Sequence, residues 1–441
     1  MSTDAVVPRV ATRRAFLRGS LATSVVLLAA ACAPSAPPAA PTAAPTVPPP
    51  AAAPKPTSPA ATAQPVATQA APAQAAPAAA SLKIGVLLPY TKVYAALGES
   101  ITNGMQLYFD SVNNLAGGRK VELIKEDEEN DPQASLRKLR KLVEQDQVEL
   151  ATGIVSSAIA LAIRDYVHDN KVLFLISNAG ANALTRDRKS PYVFRTAFSN
   201  WQPNAPMGDY VYKNVAQKVM IVAADYAAGH EATDAFKETF EKVGGSVVGS
   251  VFPPFPNTDY APFIEQIRQA RPPAIYTFFA GSDAVNFVKQ FDEFGLSKDI
   301  KLLGGGFLVE EDVLPAQGRA AVGVVSGLHY ANTLDTPENK AFASAYRQRF
   351  NKPADTYATQ GYDTARTIVD ALGKTQGNTR DKDAVVKALE GLSFASPRGP
   401  FTIDPATHNP IHNIYAREVR LVGDQVTNLV LETFKDVRDP G

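Results

Sequence analysis

The chain has 441 residues, with 44 basic and 44 acidic side chains and a single cysteine, so no intramolecular disulfide can form and stability has to come from packing. Five of the basic residues and one acidic residue precede residue 82, which leaves residues 82–441 weakly acidic and argues against a nucleic-acid backbone as partner, since that calls for a basic face. This body is longer than one hydrophobic core usually supports, so two lobes are expected.

In chain order, Thr12-Arg13-Arg14-Ala15-Phe16-Leu17-Arg18 leads into the apolar stretch LATSVVLLAAA and then Cys32. About a dozen apolar residues fall short of the ~20 that span a bilayer, so residues 1–32 read as a cleavable export signal. TRRAFLR resembles the bacterial twin-arginine signal. LAAAC resembles a lipobox, with Ala29 standing where Leu is commonest, which implies lipidation of Cys32. A buried structural thiol, the ordinary role of a lone cysteine, has no core to sit in here. Residues 33–81 are nearly all Ala, Pro, Thr, Ser and Gln, with one charge at Lys55. Such a segment cannot bury a core and reads as an extended tether.

From Ser81 the pattern alternates short apolar runs with amphipathic stretches: LKIGVLLP, ESITNGMQLYFDSVNN, KVELIKEDEE, QASLRKLRKLVEQD, VELATGIV, SSAIALAIRDYVHDN. Leu136, Leu139, Leu142 and Val143 recur at helical spacing, while the strand runs are continuously apolar, as in parallel sheets covered on both faces. The rhythm repeats after Trp201, from KVMIVAADY to IKLLGGG. PENKAFASAYRQRF and TARTIVDALGKT follow as helices, and FTIDP with NIYAREVRLVGDQV switches to hairpin strands. In such α/β sheets ligand-bearing loops lie at the carboxyl ends of the strands.

Enzyme chemistry is thinly represented. His408 and His412 stand four apart, the spacing of metal ligands on a helix, but Pro410 between them argues for a turn. There is no G-x-S-x-G elbow and no Walker lysine loop, and Gly304-Gly305-Gly306 lacks dinucleotide spacing. The run Glu126 to Asp131 lacks the central glycine of a calcium loop and reads as a solvated strand end. No cofactor is expected.

The ordered motifs KIGVLLP, ALGESITNGMQL, GIVSS, LISNAGANALT, VFRTAFSNWQ, DYAAGHEATDAF, GLSKDIKLLGGGF and GYDTA resemble the type I periplasmic substrate-binding proteins of ABC importers, in the Leu/Ile/Val-binding group. The resemblance covers residues 82–441. It implies an α/β fold of two interleaved Rossmann-like lobes joined by three crossovers, near Ser199–Pro203, Tyr330–Thr333 and Pro397–Phe401. Lobe one is then 82–200 plus 332–398, and lobe two 201–331 plus 399–441, with a ligand in the cleft and ABC permease and ATPase subunits as partners.

Ser156 and Ser157 end a strand and open a helix, where a hydroxyl and free N–H groups suit a carboxylate; capping alone would also explain them. In the family pattern Ala179 matches a backbone ligand position, Gly180 lets backbone approach closely, and Ala181 replaces a hydroxyl. Gly306 and Phe307 stand where an acidic partner for an ammonium is found, and Glu310 falls a few residues late. Losing both partners argues against an α-amino acid, because an unpaired ammonium in a closed cleft costs several kcal/mol. Tyr94, Tyr226, Phe307 and Tyr357 fall on loops expected to face the cleft, where rings give contact area with few rotors, or else pack the lobes together. NAGANALT, FSNWQ, GGGFL and SPRGPFTIDPATHNP look most like the subset that takes up aromatic acids. A branched-chain amino acid or amide carrier, a sensing module for a separate signalling partner, and an exported cofactor enzyme are the competing readings.

Overall fold

The computed structural model describes residues 80–441, so the export signal, Cys32 and nearly all of the tether lie outside the described residues. Strand β1 (Leu82–Leu88) buries every residue except Lys83. It leads into α1 (Ala95–Ser111), a short β2 (Leu115–Ala116), β3 (Arg119–Asp127), α2 (Pro132–Arg140), β4 (Leu150–Gly153), α3 (Ser157–Asp169), β5 (Phe174–Ile176) and β6 (Val193–Arg195). These strands form one six-stranded sheet in the order β2-β3-β1-β4-β5-β6, parallel except for β2 against β3.

The chain then enters α4 (Ala205–Asn214), β7 (Lys218–Ala223), α5 (Ala227–Lys242), β8 (Ser246–Val251), α6 (Ala261–Ala270), β9 (Ala274–Phe278), α7 (Gly281–Glu293), β10 (Lys301–Gly305), α8 (Leu314–Gln317) and β11 (Val325–Leu328). Three further helices, α9 (Pro337–Phe350), α10 (Thr356–Lys374) and α11 (Lys382–Leu389), precede β12 (Ser393–Ser396), β13 (Gly399–Ile403), β14 (Pro410–Val422) and β15 (Gln425–Val437). The second sheet has nine strands, ordered β12-β13-β14-β11-β10-β9-β7-β8 with β15 paired to β14. Its β7 to β11 part is parallel and its carboxy-terminal part antiparallel.

Both sheets are covered on two faces, which explains the continuous apolar runs. Ile84, Val86 and Leu88 pack with Ile101, Met105 and Ile368 of α1 and α10, while Leu87 packs with Leu139, Ile159 and Ile163 of α2 and α3. In the second sheet Val222 and Ile275 meet α6 and α7 through Ile264 and Phe287, and Val219 and Tyr276 meet α4 and α5 through Met207 and Phe236.

Two boundaries differ from expectation. Helix α10 starts eight residues before TARTIV because the Asp355 carboxylate accepts from Ala358 N at 2.7 Å and caps it. The pattern there is broken by Gly361, whose missing side chain lets α10 lie against α1: a Cβ would stand 1.9 Å from Ile101 O. Strand β12 is hydrogen-bonded into the second sheet, although residues up to 398 were assigned to the first lobe. Its Phe394 nevertheless packs into the core around β1, so this hairpin serves both layers.

Glu128, in the run expected to be solvated, is wholly buried. The chain turns inward after β3, with Glu128 N donating to Leu88 O at 3.0 Å, while Asp127 stays near the surface and binds Tyr90 N, Glu129 N and Thr91 Oγ1. Among the described residues no group of three or more His, Cys, Asp or Glu could hold a metal, and no helix is long and apolar enough to cross a membrane.

Candidate functional site

The carboxyl ends of the parallel strands of both sheets converge on one cavity with about 20 Å³ of free space, roughly room for a single water. From the first sheet come Tyr94 and Leu97 after β1, Val155 and Ser157 after β4, Asn178 and Gly180 after β5, and Phe198 and Asn200 after β6. The second contributes Tyr226 and Ala228 after β7, Phe278 and Ala280 at the end of β9, and Phe307 after β10; Tyr357 enters from the first turn of α10. No charged side chain is among these fourteen residues.

Six of them are aromatic. Phe307 is the hub: its ring centroid lies 5.1 Å from Phe198, 6.1 Å from Phe278 and 5.8 Å from Tyr357, within the range in which offset and edge contacts are favourable. Tyr94 and Tyr226 join their hydroxyls at 3.0 Å, and Phe255 stacks behind both. Burial raises the pKa of Tyr94, Tyr226 and Tyr357 above the usual phenol value, so each remains an O–H donor at neutral pH. The Tyr357 hydroxyl is buried and has no partner among the described residues. Ser157 Oγ accepts from Asn200 Nδ2 at 3.3 Å, which leaves its own proton free.

The predicted residues divide into two groups. Ser157, Gly180, Tyr94, Tyr226, Phe307 and Tyr357 line the cavity; Ser156, Ala179 and Ala181 do not. Ser156 N, expected to be free for a ligand, donates to Glu128 Oε1 at 3.3 Å, and Val155 N donates to Glu128 Oε2 at 3.0 Å. Ala179 N is bound to Ile154 O at 2.9 Å. The Ala181 methyl is packed in the core of α2, α3 and β5, so a hydroxyl missing from this position is not missing from the cavity wall. Glu310 lies elsewhere as well: it pairs with Arg417 at 2.8 Å and accepts from Thr356 N at 2.7 Å, fully buried.

The loop after β5 takes its shape from Arg195, at the end of β6. This buried guanidinium donates to Gly180 O at 3.0 Å, Phe198 O at 2.9 Å and Ala181 O at 2.7 Å. Asn200 N also donates to Gly180 O at 2.6 Å, so the loop's carbonyls are turned away from the cavity. Gly180 is required for that approach, since a Cβ there would stand 2.1 Å from Asn200 Oδ1. Opposite, Glu231 of α5 accepts from Asn182 N and from Asn200 Nδ2, each at 2.8 Å, and burial raises its pKa. Phe198, Asn178, Asn200 and Phe278 were not anticipated. Asn178 lies two residues after β5, Phe198 and Asn200 three and five residues after β6, and Phe278 at the end of β9, so counting outward from each strand end would have found them.

Comparison with known proteins adds to this geometry. The profile of the periplasmic binding protein family matches residues 81–425. The chain is similar to Leu/Ile/Val-binding protein homolog 6 of Brucella melitensis, 32% identical over 366 residues, 82% of this chain and 93% of that one. It is also similar to a solute-binding protein of an ABC transporter from Rhodopseudomonas palustris BisB5, solved with 3,4-dihydroxybenzoic acid, at 35% identity and TM-score 0.78, covering 82% of this chain and 99% of that one. A second R. palustris solute-binding protein, solved with benzoate, is 35% identical with TM-score 0.76, covering 81% and 98%.

Proposed function

The chain belongs to the periplasmic binding proteins, extracytoplasmic solute-binding components of ABC transporters with the type I two-lobed fold, and on that premise we propose that its cleft takes a small aromatic carboxylate. The observation that carries this reading is a cavity walled by six rings with no charged side chain. A flat ring suits the apolar wall of Phe198, Phe278 and Phe307, which touch one another in this structure and have to part to admit it. The Ser157 hydroxyl, the Tyr357 hydroxyl and the N–H groups of the first turn of α3 are the donors suited to its carboxylate.

An α-amino acid fits this wall poorly. No carboxylate lines the cavity: Glu231, which accepts from Asn182 N and Asn200 Nδ2 through Oε2, stands behind Asn200. A buried ammonium left without a partner would cost several kcal/mol. The solved relatives named with benzoate and 3,4-dihydroxybenzoic acid support the aromatic reading; the Brucella relative's name supports the branched-chain one.

In this reading the two sheets belong to lobes that close by hinge motion over the ligand, the first built from 82–200 plus 332–398 and the second from 201–331 plus 399–441, with the β12–β13 hairpin shared. Lipid-modified Cys32 anchors the protein after export, the 33–81 tether holds the body off the membrane, and the ligand passes to an ABC permease. Calorimetric titration with benzoate, 4-hydroxybenzoate, 3,4-dihydroxybenzoate, leucine and isoleucine tests the site. Binding of ring acids alone is expected; binding of leucine without any ring acid overturns the proposal. Metabolic labelling with a radioactive fatty acid, lost in Cys32→Ser, tests the anchor.

A further inference from the structure

Behind the cavity wall lies a carboxyl group that the binding scheme above does not use. Glu128 is wholly buried. Its two oxygens receive the N–H groups of Val155 and Ser156 at 3.0 and 3.3 Å, in the turn whose Val155 and Ser157 side chains line the cavity. Its backbone is pinned on both sides: Glu128 N donates to Leu88 O at 3.0 Å and Ser135 Oγ donates to Glu128 O at 2.8 Å.

Among the described residues no cation pairs with this carboxyl. The charged groups around it are otherwise engaged. On its own turn, Asp127 binds Tyr90, Thr91 and Glu129, and Glu129 pairs with Lys138 of α2 at 2.5 Å. Asp131 caps α2 through Ala134 N at 2.7 Å. Lys92 Nζ donates to Glu129 O at 2.7 Å. The first turn of α3 holds no acidic residue, and β1 offers only the Leu88 carbonyl. From the cleft side the titratable groups are the Tyr94, Tyr226 and Tyr357 phenols, which burial keeps protonated.

We propose that Glu128 is a positioning and specificity-determining residue that holds the Val155–Ser157 turn and couples the binding of an anionic ligand to the uptake of one proton. The inference rests on the anionic ligand proposed above. Burial raises the Glu128 pKa to about 8, against the pull of its two N–H bonds. Near neutral pH the group is therefore largely a neutral acid, and the positive end of α3 is free to face a ligand carboxylate. Above that pH Glu128 ionises and places a negative charge directly behind the wall. A carboxylate in the cavity and a carboxylate on Glu128 then disfavour each other, so the bound state holds the proton more tightly than the free state. Reciprocity requires ligand affinity to fall as pH rises. A neutral isostere of the ligand escapes the effect.

The test is titration calorimetry of the wild-type protein with benzoate in buffers of different ionisation enthalpy, from about pH 6 to about pH 9.5, which reads protons taken up per ligand bound. Uptake near zero at the acid end, rising toward one above about pH 8, is expected, with a fall in affinity of about tenfold across the range. Benzamide is the control and should show neither. Benzoate binding with no proton uptake anywhere in that range overturns the role of Glu128 and leaves the ligand class standing. Failure of benzoate, 4-hydroxybenzoate and 3,4-dihydroxybenzoate to bind at any pH overturns the ligand class, and this inference with it. Glu128→Gln is expected to bind benzoate at neutral pH and to lose the pH dependence. Should that variant fail to fold, the buffer series on the wild type still decides.

Discussion

Tyr94 and Tyr226 meet hydroxyl to hydroxyl at 3.0 Å, one from the end of the first sheet and one from the end of the second, and their contact closes the cavity over its aromatic floor. The bond is local in space and distant in sequence, so it forms only when the two sheets approach. Either hydroxyl can bond to water instead, which limits the net gain to about 0.5–1.5 kcal/mol. Tyr226→Phe removes the bond and keeps the ring stacked on Phe255. It should weaken ring-acid binding roughly two- to tenfold with little change in thermal stability, measured by calorimetry alongside a melting curve.

Arg195 presents the opposite balance. With the guanidinium gone, Gly180 O keeps Asn200 N and Ala181 O keeps Leu184 N, but Phe198 O loses its donor, and an unsatisfied buried group costs about 1–3 kcal/mol. Arg195→Met keeps the apolar stem. It is expected to lower stability by roughly 1–3 kcal/mol in urea unfolding and to weaken ligand binding, because the loop carrying Asn178 and Gly180 and the adjoining Phe198 lose their charge-assisted donor.

The β12–β13 hairpin is fastened to the first sheet by Arg398, which pairs with Asp363 of α10 at 2.8 Å, both fully buried, and donates to Ala197 O at 2.7 Å and to Thr196 O. Removing one member of a buried pair leaves the other uncompensated, at about 3–5 kcal/mol. Asp363→Ala should therefore cost about that much in a denaturant titration. It should cost more than Lys213→Ala, which breaks an exposed pair with Asp209 worth about 0.3–0.5 kcal/mol.

Stability should decline toward alkaline pH. Burial raises Glu311 to about 7, with the Glu310 charge adding to it, and Asp355 to about 6 against its hydrogen bonds from Ser100 and Ala358. Both are raised above their unfolded values, so between those values and about pH 6–7 the folded protein holds protons that the unfolded chain has released. Their contribution is fully present at acid pH, below the unfolded values, and is lost as pH rises through the folded ones. Melting temperatures measured from about pH 5 to about pH 8 should fall for the wild type. Glu311→Gln should flatten the profile and stabilise at about pH 8 by on the order of 1 kcal/mol.

The sequence by itself determined the alternating α/β order, the antiparallel carboxy-terminal strands and the strand ends at which a site would lie. Those features are written in local periodicity, and a short, nearly continuous apolar run such as LKIGVLL between turn residues fits a strand covered on both faces. It also brought Ser157, Gly180, Tyr94, Tyr226, Phe307 and Tyr357 into view, because each falls within a few residues of a strand end or helix start. Only the tertiary structure decided which way the groups at those ends turn. Ala181 faces a core and not a ligand, the Ser156 N–H is spent on Glu128, and Glu310 belongs to Arg417. Each of those partners lies far away in the chain. A buried polar group takes whichever partner the fold brings within hydrogen-bond reach, and no local pattern records that choice.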